Sequence, residues 1–232
     1  MPYFSVRKSA RAKRLTIKVF PRGRVEVVVP RRTRAADVQA FVTENATWIR
    51  DARSAFALDH PPEAFTLPGI IRLPAVRRTV RVSYEPRRDR KSVRVRQTVG
   101  GVTLAGRIDQ DELCLVALQR WLCSVARAEF EPQMRILSAR MRTPYRKLQI
   151  RAQRTCWGSH SSSGTVSLNF CLLFLSPELV RYLMVHELAH ARHMNHSKRF
   201  WKLVGQFEPD YRRLDRELTD SWREVPAWLG IY

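Results

Sequence analysis

Apolar residues alternate with polar ones through RLTIKVFPRGRVEVVVP, residues 14–30: Leu15, Ile17 and Val19, then Val25, Val27 and Val29. Pro21-Arg22-Gly23 lies between the two runs, so the period of two and the turn residues predict a β-hairpin. From Thr33 to Leu58 the period lengthens to that of a helix, with Val38, Phe41, Val42, Ala46, Ile49 and Ala52 on one side and Thr33 as N-cap. DHPPEAFTLPGI then breaks regular structure with three prolines, and 59–70 is the expected linker. Alternation returns over 78–106 (Val80, Val82, Tyr84; Val93, Val95; Val102, Leu104), with Gly100-Gly101 as a turn. A second helix is predicted over Asp111–Met141, kinked or interrupted at Pro132.

Beyond it, Leu148, Ile150 and Ala152 suggest one short strand and Val166, Leu168 and Phe170 another. Ser176-Pro177 pairs an N-cap with proline at the first helical position, opening a helix that should run to about Arg192. Ser197 opens another, and a last helix covers about Tyr211–Ser221. The fold class is α+β: a basic, β-rich N-terminal half with a helix (1–106), packed on a more helical C-terminal half with a short sheet (107–232).

Within the helix from Pro177 stands HELAHARHMNH, residues 186–196, with four of the chain's six histidines. His186 and His190 are four apart, so both imidazoles face one ion from the same side of the helix. Glu187, rotated about 100° from His186, lies beside that ion and can take a proton from water. A catalytic zinc uses three protein ligands and keeps a position open. His193 would line up further along a continuing helix, which suits a tetrahedral site poorly. His196 reaches the ion if the helix stops first, with a sharp turn around Met194-Asn195 and Asn195 tolerating the left-handed conformation. The expected ligands are therefore His186, His190 and His196, holding one Zn²⁺ per chain, although Mn²⁺, Co²⁺ and Ni²⁺ remain open. His193 is left as a substrate contact, a group behind the ligands, or an ordinary histidine at a helix end.

HELAHARHMNHSKRFW (186–201), TCWGSHSSSGTVSLNF (155–170) and the strand-rich basic N-terminal half together resemble the YgjP-like metallopeptidases, distantly related to SprT-like proteins. The resemblance covers nearly the whole chain. It implies a zincin-type active site with His186, His190 and His196 on the metal and Glu187 catalytic. Where that family carries Cys after W-G-S, this chain has His160. Arg154 and His160 are candidate oxyanion or substrate contacts, and the 166–170 strand, if it is an edge, could add an extended peptide as a further strand. Trp157, Phe200 and Trp201 are expected to pack in the core.

Charge changes the picture of partners more than of fold. Of the 232 residues, 42 are basic and 21 acidic, a net charge of +21, and 23 of the basic residues against 8 acidic ones fall in 1–100. Such a field attracts polyanions. Thirty-five of the basic residues are Arg, which also fits plain compositional bias. Two alternatives to a peptidase follow: a nucleotide phosphoanhydride hydrolase or DNA-associated protease recruited through the basic half, and a nucleic-acid-binding module with a structural zinc. No apolar run approaches the roughly 20 residues of a membrane span, no secretory signal is evident, and the four cysteines form no C-x-x-C pair. These point to a cytoplasmic enzyme acting on peptide or protein.

Overall fold

The computed structural model describes residues 4–10, 12, 14–19, 25–59, 66–87, 89, 91–153 and 156–229, the side chains of 53–59 excepted. It is a mixed α+β structure with three sheets and six α-helices among the described residues. Two compact units divide at residue 64, one of residues 1–64 and the other of residues 65–231.

In the first unit, β2 (Thr16–Val19) and β3 (Val25–Pro30) form the expected antiparallel pair; the turn between them lies outside the described residues. A strand beyond those expected, β1 (Phe4–Ser9), runs parallel to β3 on its other side. Val25, Val27 and Val29 point to a core closed by Val38, Val42 and Ile49. The single helix expected over 33–58 is two, α1 (Ala35–Glu44) and α2 (Ala46–Asp59). Asn45 explains the break: its backbone N–H and its Nδ2 both donate to the Phe41 carbonyl, at 3.2 and 2.8 Å. An amide side chain that competes for the ladder in this way ends a helix. Nor does Thr33 cap it: its hydroxyl donates to the Pro30 carbonyl at 3.0 Å, and Arg34 occupies the N-cap with no side-chain bond.

In the second unit, β4 (Ile70–Leu73), β5 (Arg78–Pro86), β6 (Val93–Thr98) and β7 (Gly101–Gly106) form a sheet of order β4-β5-β7-β6. Its apolar side, including Ile71, Val80, Val82, Val102 and Leu104, is buried. The long helix α3 (Asp111–Met141) packs on this sheet at β6 and continues through Pro132 without interruption. This explains why the chain divides inside the expected linker and not at 106. A sheet needs cover for its apolar side, and the cover here is C-terminal to it.

The remaining strands, β8 (Lys147–Arg151), β9 (Gly158–His160) and β10 (Thr165–Asn169), form a small sheet of order β8-β10-β9. Asn169 staples the connection, donating from Nδ2 to the carbonyls of Gln153 (2.7 Å) and Cys156 (3.1 Å) while Oδ1 accepts from the Cys171 N–H. The apolar run Phe170–Leu175 is wholly buried. Three helices follow: α4 (Pro177–Ala189), α5 (Lys198–Phe207) and α6 (Tyr211–Asp220). No helix among the described residues is long and apolar enough to cross a membrane.

Candidate metal centre

Ser176 caps α4 by accepting from the Leu179 N–H, and Pro177 stands in the first turn, as the sequence predicts. The helix then ends three residues earlier than expected. Ala191 bonds back to Leu188, and Arg192 and His193 both bond to Ala189, so the last turn tightens and the chain leaves the axis. Asn195 does not adopt a left-handed conformation; the positive-φ non-glycine residues among those described are Arg77 and Arg142. The tightened turn after Ala189 does the work assigned to Asn195, and Ser197 starts α5 by accepting from the Phe200 N–H.

The result is convergence. Donor nitrogens of His186, His190 and His196 all lie within 4.8 Å of one another, and the Nε2 atoms of His186 and His196 are 3.0 Å apart. Each helix-borne ring is held from behind. His190 Nδ1 donates to the His193 carbonyl at 3.0 Å. His186 Nδ1 faces the Tyr182 hydroxyl at 3.4 Å, and that hydroxyl donates to Asp215 Oδ1 at 2.6 Å. Because the hydroxyl proton is committed to the carboxylate, its oxygen can only accept, and His186 carries its proton on Nδ1. Both rings thereby keep Nε2 as a bare lone pair. Bare imidazole nitrogens brought this close repel one another unless a cation sits among them, so the donor set fits a divalent metal. Burial and the neighbouring His190 and His196 push His186 down to about 4, so it stays neutral and able to ligate across ordinary pH, and burial lowers His190 as well.

Phe200 is fully buried, and its ring centre lies 4.9, 4.7 and 4.7 Å from those of His186, His190 and His196. It is a core residue, as expected, and also the floor of the cluster. Trp201 is only half-buried and stacks on His196, with centroids 5.6 Å apart. Trp157 is buried, donates from Nε1 to the Leu218 carbonyl at 2.9 Å and stacks on Trp222.

Glu187 is 4% exposed and its Oε2 has no partner. Burial pushes its carboxyl up to about 8. Across from it stands Gly158 of β9, where a Cβ would come within 2.7 Å of Glu187 Oε1. His160, on the same strand, donates from Nδ1 to the Glu187 carbonyl at 2.5 Å. A neutral His160 therefore presents an acceptor at Nε2 and could donate to an oxyanion only as the imidazolium. Arg154 lies outside the described residues. The strand expected as a possible edge, β10, is central, flanked by β8 and β9; the free edge next to Glu187 belongs to β9. His193 contributes its carbonyl and not its ring, and among the described residues the cluster holds three histidines, not four. Sequence reasoning missed Tyr182, Asp215 and Gly158. Tyr182, one turn before His186, was findable from spacing; the other two come from distant segments.

The family model of the YgjP-like metallopeptidase domain matches residues 13–221, and the chain belongs to that family. It is a metal-dependent hydrolase of the metallopeptidase class. Two solved structures are similar over part of the chain, both metallopeptidase zymogens. Abylysin of Pyrococcus abyssi shares 25% identity, with a TM-score of 0.37 over 41% of this chain and 98% of its own. Jannalysin of Methanocaldococcus jannaschii shares 16%, with a TM-score of 0.37 over 40% of this chain and 97% of its own. No curated protein matches.

Proposed function

We propose that the chain is a zinc peptidase in which His186, His190 and His196 hold one Zn²⁺ and Glu187 is the general base. The observation that carries this is three converging imidazoles and, on the residue next to His186, a buried carboxyl with an unpartnered oxygen. Bound there, zinc supplies Lewis acidity, making water a nucleophile at neutral pH and polarising the scissile carbonyl. Glu187, whose affinity for a proton is raised by burial, accepts the proton from water and delivers it to the departing amine. β9 offers the wall for the peptide. Trp157 and Ser161 bond to β10 through Asn169 N and Thr165 O, so the ladder's alternation turns the backbone groups of Gly158 and His160 to the free edge. An extended substrate pairing there would lie alongside Glu187.

The test is Glu187→Gln, which keeps the shape and removes the base. The variant should retain zinc and lose peptide hydrolysis by about 100-fold or more; full activity with zinc retained would show that the base is elsewhere.

A second reading keeps this centre and adds a polyanion, as in a protease acting on DNA-bound proteins or a hydrolase of nucleotides. One observation favours it. The solvent side of the β4-β5-β7-β6 sheet carries Arg72, Arg81, Arg94 and Arg96, all exposed, around the small residues Gly101, Thr103 and Ala105 of β7. A nucleic-acid module with a purely structural zinc is disfavoured, because such sites are closed by four ligands and commonly use Cys.

A further inference from the structure

Tyr211, Asp215, Leu218 and Trp222 stand at i, i+4, i+7 and i+11, one stripe down α6 and the turn that follows it (Ser221–Glu224). Together they touch three supports of the metal centre. Tyr211 stacks on Trp201 at 5.1 Å and 18°, and Trp201 stacks on His196 at 5.6 Å and 25°. Asp215 Oδ1 accepts from the Tyr182 hydroxyl, which faces His186 Nδ1. The Leu218 carbonyl and the Trp222 ring both hold Trp157, the residue before Gly158, which packs on Glu187.

We infer that α6 is the buttress of the centre, with Asp215 and Tyr182 as positioning residues that set the tautomer of His186, and Tyr211 one that braces His196 through Trp201. The inference rests on the ligand assignment above. The logic of the first pair lies in where one proton goes. With Asp215 present, the Tyr182 hydroxyl points its hydrogen at the carboxylate and its oxygen at His186, so Nδ1 is the protonated nitrogen and Nε2 is free for metal. Without Asp215, the hydroxyl is released to donate to Nδ1. The imidazole proton then moves to Nε2, the position that has to be bare. Asp215 itself is exposed and lies on a helix that contributes no ligand, so the one hydrogen-bonded route from it to the cluster among the described residues runs through Tyr182, beside the weaker through-space pull of its charge on His186.

Zinc affinity of the full chain, read by chelator competition, tests this without recourse to activity. Asp215→Ala and Tyr182→Phe should each weaken zinc about 10-fold to 100-fold, the usual range for a group that orients a ligating histidine. In the Tyr182→Phe background most of the Asp215→Ala effect should vanish, because the carboxylate no longer has a hydroxyl to orient. A merely structural aspartate would add its loss in both backgrounds. Amide exchange over 211–220 should slow on zinc addition in the parent chain and respond less in Tyr182→Phe, which keeps the packing of the ring. Zinc affinity within twofold of the parent in Tyr182→Phe, or full additivity of the two substitutions, overturns the inference. His186→Ala and His190→Ala separate the two levels. If they lose zinc while Tyr182→Phe does not, only the buttress is wrong; if they bind like the parent, the ligand assignment falls and the buttress with it.

Discussion

A carboxyl that is 4% exposed, with one oxygen unpartnered and Gly158 packed against it, keeps its proton where a surface glutamate is ionised. For Glu187 this means a fold that favours the acid, with its value raised from 4.5 to about 8. The sign follows from linkage. The stabilisation is complete below pH 4.5, where folded and unfolded chains are both protonated, and is lost as pH rises to 8. His186 works the other way, being lowered from 6.5 to about 4, so its neutrality costs stability only as pH falls below 6.5. Between pH 6.5 and 8 the Glu187 effect stands apart. The metal-free chain should lose about 2 kcal/mol of stability across that window, and Glu187→Gln should remove most of that slope in denaturant titrations. Zinc should remove it too, since a nearby cation favours the carboxylate; a slope unchanged in Glu187→Gln would mean that another group titrates.

Elements meet where β9 passes α4, and the approach is set by the missing side chain of Gly158. Its backbone is ordinary, with no positive φ, so glycine is required there for room and not for conformation. Gly158→Ala should displace the Glu187 carboxyl or push β9 away, costing about 1–3 kcal/mol, and should lower the rate of hydrolysis while zinc remains bound. Wild-type kinetics in Gly158→Ala would show that the strand and the carboxyl have slack. Much at this scale was legible in sequence. The hairpin β2–β3, strands β5 to β7, and α3 to α6 follow from periodicity and from Ser176-Pro177 and Ser197 as start signals. The failures share a cause. β4 is only four residues long, and the alternation of β1 stops after Phe4 and Val6, so pairing with β5 and β3 makes them strands. The break at Asn45 depends on a side chain choosing its own helix's carbonyl over solvent. The end of α4 depends on a tightened turn that no glycine or left-handed residue marks.

Over the whole molecule, the charge excess gains content from the sheet that displays it. Arg72, Arg81, Arg94 and Arg96 share one solvent face, and Tyr84 turns away from it to donate to the Pro68 carbonyl. Among the described residues that face presents no aromatic platform for bases, so it suits phosphate contact better than the stacking of single strands. If the face engages duplex DNA, log K against log salt should have a slope of roughly −3 to −4 for four neutralised phosphates. Replacing Arg81 and Arg96 by Ser should reduce that slope by about two. A flat salt response, or a slope unaltered by those substitutions, would leave the peptidase reading without a polyanion.

Sequence alone put His186 and His190 on one side of a helix, with Glu187 next to them, because helical geometry is local and four residues make about one turn. It also singled out His196 as the candidate third donor, and the fold brings that ring to the other two. Tertiary structure decided the rest: that His193 serves through its carbonyl, that Phe200 floors the cluster, that Gly158 encloses the carboxyl, and that Asp215 stands behind Tyr182. These contacts join residues from separate segments of the chain, and their meeting depends on how buried faces pack. That packing is a property of the assembled core, and no window of the sequence contains it.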